Sequence, residues 1–159
     1  MNMDKDNYIL YILMRNDLPS MNAGRAMAMA SHATSAFLKE FGNVASVGKW
    51  KKQTKQDFGT VIVLGANRAV IESTLNFLNH NDDWIDNSVL SDEVYDPEYG
   101  MTVSGEVYSF INPQLILNDK TVFNDNNSVT FFRNEMTCAY IFGKKESLRS
   151  LLGDISLHP

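Results

Sequence analysis

Tyr8-Ile-Leu-Tyr-Ile-Leu-Met14, then Arg15-Asn-Asp-Leu-Pro-Ser20, then Asn22 to Phe41 is the stretch that decides the fold. The first segment is apolar without alternation, so it reads as a strand covered on both faces. Pro19 stops that strand, and Asp17, Ser20 and Asn22 are all N-cap candidates for a helix beyond it. Met27, Ala30, Thr34, Phe37 and Phe41 recur at three- and four-residue steps, which predicts a helix with an apolar stripe. Arg25, Met29 and His32 fall at i, i+4 and i+7 and so share another face. Gly42 closes the helix.

Working outward, residues 43–57 read as a polar connection with Trp50 among Lys49, Lys51, Lys52 and Lys55. Thr60–Gly65 reads as a second buried strand and Asn67–Asn79 as a second helix, stopped by the polar run 79–83. A third strand is expected near Asn87–Val94 and a fourth at Met136–Phe142. A last helix runs from Glu146 to about Gly153, with Leu148, Leu151 and Leu152 inward. Between the last two strands lies an insert of about forty residues, Tyr95–Glu135. Alternation in Met101–Ile111 and Val129–Phe132 predicts hairpins within it, because a structureless loop of that length is rare. The expected fold class is α/β. We expect a single domain over 1–159: a three-layer α/β/α sandwich on a mixed, mostly parallel four-stranded sheet, with the insert between strands 3 and 4. Ligands of such sheets sit beyond the carboxyl ends of the strands. There the chain delivers Arg15, Asp17 and the first helix N-terminus, with Asp92 near the end of the third strand.

At 159 residues, 44% hydrophobic and 21% charged, the composition is that of an ordinary globular domain. No apolar run reaches the roughly 18 residues of a membrane span. The first residues lack a signal-peptide layout and the single cysteine, Cys138, lies in an apolar run, so the expected location is cytoplasmic and the thiol buried. The net charge of −5 is uneven: residues 1–55 hold 8 Lys+Arg and 4 Asp+Glu, whereas residues 82–98 hold seven acids and no base. The N-terminal third can therefore meet nucleic acid, and the acidic run can equally be a solvated face or a protein-binding one. Three scattered histidines give no metal-ligand spacing, so no metal or cofactor is expected. His32-Ala-Thr34 lacks the second H-x-T or H-x-S that two-histidine phosphoester chemistry needs.

Arg15-Asn-Asp-Leu-Pro-Ser-Met21, Gly24-Arg25, Ala28 and Ser31-His32-Ala33 together resemble the N-terminal signature of the type II peptidyl-tRNA hydrolases, roughly R-x-D-L-x-M-x-x-G-K-x-A-A-Q-x-S-H-A. Thr137–Gly143 followed by Glu146–Leu157 is similar to that family's last strand and helix. The resemblance implies a mixed sheet flanked by helices, a homodimer, and metal-free hydrolysis of the ester between peptide and tRNA. It carries the family's G-K lysine onto Arg25, its glutamine onto Met29, its S-H-A histidine onto His32 and its aspartate onto Asp92. The expected catalytic residues are thus His32, Asp92 and Arg25. The expected substrate contacts are Arg15, Asp17 and Gly24, with Lys51 and Lys52 on tRNA or nucleotide phosphates. The chain departs from the pattern in four ways: arginine replaces lysine, methionine replaces glutamine, one more residue stands between Asp17 and Gly24, and Glu93-Val-Tyr-Asp-Pro-Glu98 comes after Asp92 where the family has D-A-G-x-T. An altered member that binds a nucleotide or RNA end without turnover, or an interaction module built on the acidic region, are the alternatives.

Overall fold

The computed structural model describes residues 7–18, 20–80, 89–108 and 121–158. In chain order these form β1 (Tyr8–Arg15), α1 (Ala23–Phe41), α2 (Ala45–Lys51), β2 (Val61–Ala66), α3 (Arg68–His80), β3 (Leu90–Ser104), the short α4 (Gly105–Tyr108), β4 (Thr121–Phe123), β5 (Ser128–Lys144) and α5 (Lys145–Leu152). All eight residues of β1 are buried, as its unbroken apolar run requires.

The sheet order is β2-β1-β5-β3, with β4 also paired to β5. The sheet is mixed, but the expectation of mostly parallel pairing fails: β1–β2 is parallel, whereas β1–β5, β3–β5 and β4–β5 are antiparallel. The reason lies in the forty-residue segment. Strands 3 and 4 do not end where the sequence punctuates them but run on as the two arms of one long antiparallel ladder, out to Ser104 opposite Ser128. The flanks of the expected insert are therefore sheet, and five strands, not four, stand among the described residues. Residues 109–120 of the insert lie outside the described residues, as do 81–88, which held the start of the expected third strand.

Two irregularities bend this ladder. Val94 opposes Cys138 while Tyr95 opposes Met136, leaving Thr137 as the extra residue of a bulge. A second shift between Asp96 and Tyr99 contains Pro97, a residue that a regular ladder position would not accept. The Thr137 bulge also reverses which face β5 presents. Met136 packs on one side of the sheet, while Cys138, the next residue of the same parity, packs on the other.

Helices cover both faces of the central strands. Leu10, Ile12 and Met14 meet Ala26, Met29, Ala33 and Phe37 of α1 and Val47 and Trp50 of α2. Ile9, Tyr11 and Leu13 meet Ile71, Leu75 and Leu78 of α3 and Leu148 and Leu152 of α5. A third cluster, Leu18 with Tyr99, Met101 and Phe131, ties the β1–α1 turn to the distal ladder.

Two local expectations are corrected. The buried stripe of α1 is Ala26, Met29, Ala33 and Phe37. Of the expected Met27, Ala30, Thr34, Phe37 and Phe41, Phe37 is fully buried and Ala30 and Phe41 pack at the edge of the core, whereas Met27 is exposed and the first three expected positions each lie one residue from a buried one. Two of its four buried residues are alanines, so the contact face is not the one carrying the most large apolar side chains. The polar connection at 43–57 contains α2, because Val47 and Trp50 are fully buried against Phe37 and Phe142. Trp50 Nε1 donates to Thr60 O at 2.9 Å, and Gly59 is required beneath the ring, since a Cβ there would lie 2.2 Å from it.

Candidate functional site

The carboxyl end of β1 is built around Arg15. Its guanidinium is buried, pairs with Glu135 of β5, donates to Asp17 at 2.8 and 3.0 Å, and donates to Met136 O at 3.2 Å. Arg133 also pairs with Glu135, at 2.6 Å. Asp17 Oδ2 accepts from the backbone amide of Arg68 at 3.3 Å and so caps the start of α3. Burial alone would lower the Arg15 pKa, and the hydrogen bonds and charges of Asp17 and Glu135 reverse that and raise it. For Asp17, burial pushes upward, and Arg15 with the Arg68 amide outweighs it, holding the carboxyl below its usual range. Arg15 and Asp17, two of the five expected substrate contacts, are therefore engaged in joining β1, β5 and α3.

Arg25 stands one turn into α1. Asn22 is the N-cap and its side chain accepts from Arg25 N at 2.9 Å, which selects Asn22 from the three candidates. The Arg25 guanidinium donates to Gly100 O, and its carbon lies 4.8 Å over the Tyr99 ring, a cation–π contact. Gly100 is required by Phe132 rather than by Arg25: a Cβ there would fall 2.8 Å from the Phe132 ring, whereas 3.5 Å from Arg25 Nη2 is ordinary contact. Ser20 Oγ accepts from Thr102 N at 2.9 Å, a further tie between the β1–α1 turn and β3. Gly24 is exposed in the first turn of α1.

The remaining expected residues do not converge on Arg25. His32 is exposed, two turns along α1 and roughly 10 Å from Arg25 in axial rise. Asp92 is exposed, sits opposite Tyr140 in the ladder and accepts from Glu93 N at 2.8 Å. It lies eight strand positions from Gly100, on the order of 20 Å away. Among the described residues no hydrogen bond or ion pair joins Arg25, His32 and Asp92. Asp92 instead acts on Tyr140, whose phenol is pushed up to about 12 by burial and then by the charges of Asp92 and Glu40. Lys51 and Lys52 end α2, beside Trp50 and Phe142, and Phe142 pairs with Leu10. Five strand residues, roughly 17 Å, separate that end of the sheet from Arg15. Met29, at the position of the family's glutamine, is buried in the core, where its carbonyl accepts from Cys138 Sγ at 3.8 Å.

Sequence reasoning missed Tyr99, Arg133 and Glu135. Their signal was the two-residue step: Tyr99 and Met101 on β3, and Phe131, Arg133 and Glu135 on β5, mark one face of a ladder. Beside α1, a cavity of about 190 Å³ is lined by Ala23, Ala26, Met27, Ala30, Val63 and His158. Its outer wall is the C-terminal segment, which bridges Leu157 to Leu64 on the edge strand β2. Among the described residues no three His, Cys, Asp or Glu side chains group as metal ligands, and no helix is long and apolar enough to cross a membrane. Neither the protein-family models nor the curated proteins compared with this chain contain a match.

Proposed function

We propose that this chain is a peptidyl-tRNA-hydrolase-like protein in which Arg25 holds the phosphate of a nucleotide or RNA end without turning over an ester. The fold is consistent with that lineage: a strand, an Asn-capped helix carrying Gly24-Arg25 and Ser31-His32-Ala33, and a mixed sheet with helices on both faces. The observation that carries the absence of turnover is the separation of Arg25 from Asp92. Ester hydrolysis needs a base or water-orienting group within hydrogen-bond reach of the reacting atoms and a donor for the developing oxyanion. Here the cation and the histidine lie two turns apart on α1, and the carboxylate lies on β3 eight positions from the Gly100 that Arg25 meets. Met29 removes a fourth polar group from the helix by turning into the core.

Arg25 keeps what anion binding needs: a fixed planar charge near a helix N-terminus. The test is titration of a short RNA ending in CCA, or of AMP, at several salt concentrations. Phosphate contact predicts affinity that falls steeply with salt. Affinity indifferent to salt, or unchanged by Arg25→Ala, would refute the reading. The active hydrolase and its homodimer remain the competing proposal, and turnover of peptidyl-tRNA distinguishes it.

A further inference from the structure

Tyr99 and Arg133 are directly opposite one another in the β3–β5 ladder, so their side chains leave the same face a few ångströms apart. Each carries a buried polar atom, Tyr99 Oη and Arg133 Nε, without a hydrogen-bond partner among the described residues. Tyr99 is 1% exposed. Unpaired buried polar groups are rare in folded proteins, and two on adjacent residues ask for a common acceptor. The charge balance points the same way. Three arginines, Arg15, Arg25 and Arg133, meet two carboxylates, Asp17 and Glu135. Among the described residues Arg25 meets no carboxylate: its charge faces the Gly100 carbonyl and the Tyr99 ring and hydroxyl, and because a guanidinium only donates, the Tyr99 O–H is still left without an acceptor.

From this geometry we infer a phosphate subsite formed by Arg25, Tyr99 Oη and Arg133 Nε beneath the distal ladder. Three donor groups match the three terminal oxygens of a phosphate monoester. Arg133 Nε has no accepting capacity, so it needs an oxygen ligand rather than another donor. The Arg133 side chain is 33% exposed, which places the approach to the subsite along its guanidinium. Burial raises the Tyr99 phenol, against the hydrogen bond and charge of the neighbouring Arg25 guanidinium, so the hydroxyl keeps its proton to donate at neutral pH. Arg25 can keep its bond to Gly100 O while offering its remaining N–H groups. The inference deepens the reading of Arg25 as a phosphate contact and rests on it. It adds two residues from a part of the chain that the family resemblance does not reach.

The experiment is calorimetric titration of the wild type, Tyr99→Phe and Arg133→Lys with inorganic phosphate and with AMP. Arg133→Lys keeps the charge beside Glu135 and removes Nε. The wild type should bind both probes, and each variant should bind them about tenfold more weakly or worse. Unliganded Tyr99→Phe should melt no lower than the wild type, because it deletes an unpaired buried hydroxyl. A purely structural tyrosine would show the reverse pattern, lower stability with unchanged binding. No binding by the wild type, or variants that bind as it does (the result expected if a buried water satisfies both atoms), overturns the inference. If the CCA-ended RNA binds through Arg25 and the variants are neutral, only the subsite falls. If free phosphate binds and RNA does not, the subsite stands and the RNA reading falls.

Discussion

Arg15 and Glu135, 120 positions apart in the chain, form a buried ion pair that fixes the end of the central strand to the far half of β5. Each end of the pair has a second partner, Asp17 for Arg15 and Arg133 for Glu135. The network closes three elements around one guanidinium.

Glu135→Ala should therefore destabilise the protein by about 3–5 kcal/mol, since it strands a buried arginine rather than removing a neutral contact. Chemical denaturation measures this. Replacing both partners together, Arg15→Met with Glu135→Leu, should cost less than Glu135→Ala alone. A Glu135→Ala loss below about 1 kcal/mol would show that the pair is solvated.

Asp17 should make the fold acid-sensitive. Its folded pKa lies below the ordinary 3.8, so its contribution is full above about pH 4 and is lost as pH falls through the lower folded value. Stability of the wild type should drop over that interval, and Asp17→Asn should flatten the drop. Identical slopes in the two proteins would show that other carboxylates govern it.

Met29→Gln restores the residue type of the resembled family but places an amide in the core. It should lower stability by about 1–3 kcal/mol and leave ester hydrolysis undetectable. Appearance of peptidyl-tRNA cleavage in this variant would mean that α1 can turn Met29 outward.

Much of the fold was legible, and for a physical reason. Strands buried on both faces, such as Tyr8–Arg15 and the Met136–Phe142 run, are apolar with little interruption; Val61–Ala66 has the same look but is an edge strand whose Val61 is exposed. The helix rotation was not legible, because Ala26, Met29 and Ala33 and Met27, Ala30 and Thr34 satisfy the same periodicity and only contact with the sheet chooses between them. The long ladder was hidden by Pro97 and Gly100, turn residues that here sit in a bulge and under Arg25. As for the site, Arg25 was found by motif, and His32 and Asp92 were expected beside it. The motif carries no information on where β3 and β5 cross α1.

Cys138 is fully buried and its thiol is pushed up to about 11, mainly by burial. In the native protein it should resist a disulfide reagent at pH 8 and react fully once unfolded in urea. Rapid labelling without denaturant would show that β5 opens locally beside Met29.

The most direct test of binding without turnover is to incubate the wild type and Arg25→Ala with peptidyl-tRNA, tracking complex formation by anisotropy and ester cleavage in the same sample. The expected result is a salt-sensitive complex, weakened about tenfold or more in Arg25→Ala, with cleavage at the background rate even at large protein excess. Wild-type cleavage above background, or a complex that Arg25→Ala leaves intact, would contradict the account.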